Sequence, residues 1–223
     1  MQLPAIITID GPAGAGKSTL GELLARRLNY LYFDTGIMYR ALTLAALEAG
    51  IDPRDGSALA ALARDLQIDV HPPGMNDGRQ YTVLLDGRDV TWDLRRPDVE
   101  QAVSTASAHP DVRAIMRARQ REIGMRGSVI MVGRDIGTVV MPDAPLKIYL
   151  AASLDERARR RARQIRERGG TADLAQIRAD VARRDALDRH VLAPAPDALV
   201  LDSDTLSPED AVAAILARLI TTE

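Results

Sequence analysis

Short apolar runs alternate along the chain with longer stretches whose apolar residues recur every three or four positions. Ala5 to Ile9, broken only by Thr8, reads as a buried strand. Leu20, Leu23, Leu24 and Leu28 follow at spacings that share one helical face. Leu31 to Phe33 predicts a second short strand, and Met38 to Ala49 a helix that Gly50 can end, since glycine accepts the left-handed turn of a helix terminus. Helices are predicted over Asp98–Ala106 and from Asp111 to Ile123, the latter with Val112, Ile115, Met116 and Ile123 as its apolar stripe. Ser128–Val132 and Leu146–Leu150 read as the third and fourth buried strands. Asp155–Arg168 and Leu174–Asp185 read as helices parted by Gly169-Gly170, and Ala198–Leu201 as the fifth strand. Ser207-Pro208-Glu209-Asp210 supplies a cap, a first-turn proline and an acid, so a last helix follows with Val212, Ile215, Leu216 and Leu219 facing the core.

One region breaks the alternation. After a short helix marked by Leu59, Leu62 and Leu66, the stretches Gln67–His71, Tyr81–Leu85 and Val90–Trp92 read as strands, with Asp86-Gly87 as a tight turn. Residues 66–95 therefore predict a small antiparallel sheet inserted in an α/β chain. The expected fold is a five-stranded parallel sheet flanked by helices, carrying that insertion and an arginine-rich helical lid.

Composition narrows the function classes. The 223 residues include 29 Lys+Arg against 31 Asp+Glu, a net charge of −2, and this balance argues against a general nucleic-acid binder. Cysteine is absent, which removes disulfides and thiolate metal sites. The chain shows no signal-peptide pattern and no membrane-length apolar run, so a cytoplasmic protein is expected.

Chemistry enters at Gly11-Pro12-Ala13-Gly14-Ala15-Gly16-Lys17-Ser18, which fits G-x-x-x-x-G-K-[ST] at every fixed position, between a predicted strand and a predicted helix. Glycines let backbone N–H groups turn towards phosphate oxygens, and the helix end adds its positive dipole. Lys17 reaches the outer phosphates as a point charge and Ser18 offers a hydroxyl to Mg²⁺. Loops at the carboxyl ends of parallel strands hold the ligand in such sheets, which puts Thr35, Arg40, Arg134 and Asp135 in view. Arg40 reads equally as a solvated arginine or a phosphate ligand. Asp135 reads as a Mg²⁺ ligand, as an acceptor for a substrate donor, or as the partner of Arg134 in an ion pair that ties the turn. Arg113, Arg117, Arg119 and Arg121 read mostly as a solvated face. Seven arginines from Arg157 to Arg168 predict a lid over polyphosphate, since the guanidinium fork matches phosphate oxygens, with a nucleic-acid patch as the competing use.

A phosphate loop leading five alternating strands implies a P-loop kinase or NTPase. Taken with Ile9-Asp10 before the loop and Thr19 after it, Asp34-Thr35-Gly36 with Tyr39-Arg40, Gly133-Arg134-Asp135-Ile136-Gly137-Thr138 and Arg184-Asp185 with Asp188, the chain resembles the bacterial cytidylate kinases over essentially its full length. The inserted sheet matches that family too. The resemblance implies ATP-dependent phosphorylation of CMP or dCMP, with ATP on Gly11 to Thr19 and Mg²⁺ bound alongside it. It implies that Arg40 and Arg134 hold the CMP phosphate and that Ser104, Arg113 and Asp135 read the cytosine edge, Asp135 by accepting from the exocyclic amine. Thr35 meets the nucleotide, and Arg184 and Asp188 contact ribose and the transferring phosphate. Lys17, Arg134, Arg184 and Asp188 are the expected catalytic set.

The same resemblance divides the chain into a phosphate-loop core (1–36, 127–154 and 194–223), a CMP-binding domain (37–126) and a lid (155–193). It implies a monomer acting on small molecules, without nucleic acid or membrane. Val132 stands where the family carries an acid that steadies the cytosine readers, and the stretch between Asp188 and the prolines is short, leaving Arg189 or His190 in place of a family arginine. The competing readings are a kinase of the same fold acting on UMP, AMP or a shikimate-like acceptor, and a nucleic-acid-dependent ATPase.

Overall fold

The computed structural model describes residues 3–167, 169–189 and 191–221. Arg168 and His190 lie outside the described residues. In chain order the elements are β1 (Ile6–Asp10), α1 (Lys17–Leu28), β2 (Leu31–Asp34), α2 (Gly36–Glu48), α3 (Gly56–Asp65), β3 (Ile68–His71), β4 (Thr82–Leu85), β5 (Arg88–Asp89), α4 (Pro97–Ala106), α5 (Pro110–Gly124), β6 (Val129–Val132), β7 (Leu146–Ala151), α6 (Leu154–Glu167), α7 (Leu174–Asp188), β8 (Leu199–Asp202) and α8 (Pro208–Thr221). The strands form a five-stranded sheet of order β2-β6-β1-β7-β8 and a three-stranded sheet of order β3-β4-β5.

Two compact units divide the chain: Met1–Tyr30 with Ser128–Glu223, and Leu31–Gly127. In the first, β1 pairs in parallel with β6 (Ile9↔Val132) and with β7 (Asp10↔Tyr149), and β7 with β8. Parallel strands covered on both faces read as continuous apolar runs, and all four residues of β6 are buried accordingly. Helix α1 buries Leu20 and Leu24, and α8 buries Val212 and Ile215. Each such side chain contributes about 1.5–3 kcal/mol on removal from water. Ser207 Oγ accepts from the Asp210 N–H at 3.1 Å, so the last helix starts where its cap residues place it.

In the second unit α2 packs on α4 and α3 on α5. Asp55 caps α3 by accepting from Ser57 and Ala58, and Arg119 donates to the carbonyls of Arg64 (2.8 Å) and Leu66 at its other end. Arg119 therefore leaves the solvated face expected for it, because the last carbonyls of a helix need donors. The small sheet lies within the expected region, but its third strand is Arg88–Asp89, not Val90–Trp92. Asp86 (φ 48°) and Gly87 (φ 80°) form a two-residue turn with positive φ at both positions, which pairs Leu85 directly with Arg88. The Thr91 hydroxyl then takes the Val83 N–H at 3.0 Å in place of a backbone partner, and Trp92 leads into a 3₁₀ turn over Asp93–Arg95.

Candidate active site

In the first unit β1 runs into the glycine loop. Gly11 has φ +145°, and a Cβ there would stand 2.3 Å from the Leu150 carbonyl oxygen, so only glycine lets the chain pass so close to β7. Gly16, at φ 93°, is the cap residue of α1, whose first turn carries no acid. The loop therefore keeps its unneutralised N–H groups for an anion. Lys17 is buried and its Nζ donates to the Pro12 carbonyl at 2.7 Å, which folds the cation over its own loop. Ser18 and Thr19 are exposed on the first turn of α1.

Because β6 lies beside β1 in parallel, the residues after Val132 emerge next to the loop. Gly133 N–H donates to the Ile9 carbonyl at 3.1 Å. Arg134 and Asp135 follow, Asp135 buried, and a π-helical turn then spans Ile136–Val140. Asp10, the last residue of β1, accepts from the N–H groups of Ile136 (2.9 Å) and Gly137 (2.7 Å). Its burial, with the charge of Asp135 adding, outweighs those two bonds and the pull of Lys17, and its pKa is pushed up to about 6.

Two helices, α6 and α7, reach these residues. Arg134 Nε meets Asp188 Oδ2 at 3.2 Å, so α7 delivers one predicted site residue to another. One turn earlier Asp185 receives both arms of Arg157, at 2.9 and 2.5 Å. Arg157 is buried and also donates to the carbonyls of Ala13 and Ala152, each at 3.2 Å. Arg160 donates to the Ala15 carbonyl (3.3 Å) and to the Ser203 hydroxyl (3.1 Å). These two arginines tie α6 to the phosphate loop's backbone; the lid role expected of all seven does not describe them, because their N–H groups are spent on carbonyls and a carboxylate. Arg161, Arg163 and Arg166 are exposed, as are Arg184 and Arg189.

In the second unit α2 is the hub. Thr35 is its buried cap residue, and the Thr35 carbonyl accepts from Gln120 Nε2 at 3.3 Å. Arg40 Nη1 donates to the Leu94 carbonyl at 3.2 Å and lies 3.5 Å from Glu100. Arg113 holds its guanidinium 5.8 Å from the ring centre of Tyr39, the neighbour of Arg40. Ser104 is exposed on α4, one turn beyond Glu100. Helix α2 thus brings Arg40 and Arg113 to adjacent residues, and Ser104 lies on the helix packed against it.

A sequence model of the cytidylate kinase family matches residues 7–221. The chain belongs to the cytidylate kinase family. A curated cytidylate kinase from Roseiflexus castenholzii is 67% identical over 220 residues, covering 98% of this chain and 95% of the relative. A second, from Chloroflexus aggregans, is 60% identical over 223 residues, covering 100% and 97%. Among solved structures, a shikimate kinase from Bacteroides thetaiotaomicron aligns at TM-score 0.53 and 14% identity over 98% of this chain and 99% of that one. A gluconokinase from Sinorhizobium meliloti aligns at 0.51 and 15% over 99% and 94%. These two similarities speak for the fold alone: a P-loop kinase sheet with helices on both sides.

The Mg²⁺ that a kinase of this family implies fits the donors present. Among the described residues no cluster of three or more His, Cys, Asp or Glu could cage an ion. An exposed hydroxyl, Ser18, beside a phosphate-binding loop suits a hard cation that keeps several waters and takes its other oxygens from phosphates.

Asp10 and Asp185 have no role predicted from sequence, and Arg157 is expected only among the lid arginines. A signal for Asp10 does exist: a carboxylate closing an otherwise apolar strand must find donors, since an unpaired buried carboxylate is too costly to keep.

Proposed function

We propose that this chain transfers the γ-phosphoryl group of ATP to CMP or dCMP, giving ADP and CDP or dCDP. The observation that carries the reading is the pairing of β1 with β6, which sets a phosphate loop beside a turn bearing an arginine and a buried aspartate. Curated relatives named cytidylate kinase, at 67% and 60% identity over nearly the whole chain, support the acceptor.

Phosphoryl transfer asks for positioning and charge neutralisation more than for covalent chemistry. Backbone N–H groups of the loop and the α1 terminus hold the ATP phosphates, and Lys17 turns from the Pro12 carbonyl to the outer ones. Ser18 would help hold Mg²⁺, which would supply positive charge to the ATP phosphates. Arg134 takes the acceptor's phosphate. Asp135 accepts from the cytosine amine; a uracil carbonyl at the same place would face the carboxylate with no proton to give. Thr35, Arg40, Ser104 and Arg113 of the second unit are assigned to CMP as well, and Arg184 with Asp188 to ribose and the transferring phosphate. The attacking phosphate oxygen is anionic near neutral pH, so no general base is needed.

The reading assigns residues 1–36, 127–154 and 194–223 to the core, 37–126 to CMP binding and 155–193 to the lid. No helix among the described residues is long and apolar enough to cross a membrane, and the reading puts a monomer in the cytoplasm, acting on small molecules. The test is formation of CDP by the purified protein with ATP, Mg²⁺ and CMP. Stoichiometric ADP and CDP are expected; ATP turnover indifferent to CMP would overturn the assignment.

A further inference from the structure

Arg134 and Asp135 owe their place to a carboxylate on the neighbouring strand. Asp10 is buried at the end of β1, and its two oxygens take the successive N–H groups of Ile136 and Gly137 at 2.9 and 2.7 Å. These amides open the π-helical turn, where backbone donors have no partner within the helix. Asp10 gives each amide an oxygen of its own, an arrangement that an ionised carboxylate offers and an amide, with a single oxygen, does not. The fit is close on the far side too. A Cβ on Gly137 would stand 2.8 Å from Thr8 Oγ1, 3.2 Å from Asp10 Oδ2 and 3.3 Å from Lys147 Cδ. The turn thus rests on a floor made by β1 and β7. Asp10 also immediately precedes Gly11, so one residue ends the strand feeding the phosphate loop and holds the turn beyond β6.

We propose that Asp10 is a positioning residue that locks the Arg134–Asp135 turn to the strand carrying the phosphate loop, and so sets acceptor affinity and base selection. The proposal rests on the reading of Arg134 and Asp135 as acceptor-holding residues. It also explains how the turn keeps a supporting carboxylate although Val132 puts none on β6: the register Ile9↔Val132 brings Asp10 level with Gly133.

The groups facing Asp10 are Lys17 from α1, Asp135 from the turn itself and Tyr149 from β7, and Lys147 of β7 borders Gly137. Tyr149 donates its hydroxyl to the Leu192 carbonyl at 2.7 Å, and Lys147 pairs with Asp197 at 2.8 Å. Lys17 favours the charged carboxylate, while burial and Asp135 oppose it. With its pKa pushed up to about 6, the form able to accept both amides is the main one only above that pH.

The test compares Asp10→Asn and Gly137→Ala with the wild type in steady-state kinetics on CMP, UMP and ATP from pH 5.5 to 7.5. Both variants are expected to raise KM for CMP about tenfold or more, the scale of one lost charge-assisted hydrogen bond, and to lower the CMP/UMP preference. KM for ATP should stay within about twofold, since the loop's own N–H groups are untouched. The CMP phosphate titrates identically in every assay. The ratio of wild-type to Asp10→Asn kcat/KM for CMP should therefore grow as pH rises through about 6. Unchanged KM for CMP, or an equal rise for ATP, would overturn the proposal. If Asp10→Asn fails to fold by circular dichroism, Gly137→Ala alone decides between these outcomes. Amide hydrogen exchange needs no acceptor: faster exchange at Ile136 and Gly137 in Asp10→Asn, with the loop amides unchanged, is expected, and protection equal to wild type overturns the proposal. A wild type that does not phosphorylate CMP but shows this exchange pattern would refute the proposed function and leave the lock standing.

Discussion

Replacing Arg157 by alanine removes the side chain that joins α6, α7 and the phosphate loop. The guanidinium makes a two-armed pair with Asp185 at 2.9 and 2.5 Å and donates to the carbonyls of Ala13 and Ala152 at 3.2 Å each. Its side chain is 5% exposed and that of Asp185 27%. Breaking a buried pair from one side costs about 3–5 kcal/mol, because the remaining charge stays desolvated. Asp185 keeps some water contact, so the lower figure, about 3 kcal/mol, applies. For a chain of this length each kcal/mol shifts Tm by about 2–4 °C, so a drop of about 6–12 °C is expected in a thermal scan. KM for ATP should rise as well, since Ala13 lies in the phosphate loop. Arg157→Lys should recover less than half of the loss, because an ammonium cannot reproduce the planar fork. Replacing both partners, Arg157→Met with Asp185→Leu, should restore more of the Tm than the single change leaves. A Tm within about 2 °C of wild type for Arg157→Ala, with unaltered KM for ATP, would refute the view of Arg157 as an anchor.

Lys17→Ala should lower kcat by about 10²–10³-fold with every acceptor, the scale for removing one charge-stabilising group, and full activity would contradict the donor assignment. Asp135→Ala should raise KM for CMP and erode the preference over UMP while KM for ATP changes little. Stability should respond to Asp10 in the direction opposite to most carboxylates. Its folded pKa, about 6, lies above the ordinary 3.8, so its contribution is fully present below 3.8 and is lost as pH rises through 6. The full span is about 3 kcal/mol, of which about 1.3 kcal/mol falls between pH 5 and 7, and urea midpoints at those two pH values should show wild type gaining on Asp10→Asn as pH falls; parallel midpoints would count against the burial of that charge.

The phosphate loop was legible because everything it needs is contiguous: an apolar run, glycines, a lysine and a helix pattern. The helices and the five parallel strands were legible for a similar reason, since burial on both faces of β6 leaves a continuous apolar run and burial of one face of α1 leaves a helical period. Four features left no such trace. The strand after Asp86-Gly87 begins at Arg88 because turn geometry, not side-chain pattern, sets the register. The π-helical turn after Asp135 has no period of its own and exists through Asp10, which is distant in sequence. Among the arginines of α6, Arg157 and Arg160 point to carbonyls while Arg161, Arg163 and Arg166 are exposed, a distinction that belongs to helix phase and to the loop beneath it. The opposite charges of Arg134 and Asp188, which meet at 3.2 Å, gave no hint of their partnership across 54 residues.

The most direct measurement is kcat/KM for CMP, dCMP, UMP, AMP and shikimate under one ATP–Mg²⁺ concentration. CMP and dCMP are expected well ahead of UMP and AMP, with no turnover of shikimate. UMP or AMP phosphorylated as readily as CMP would contradict it.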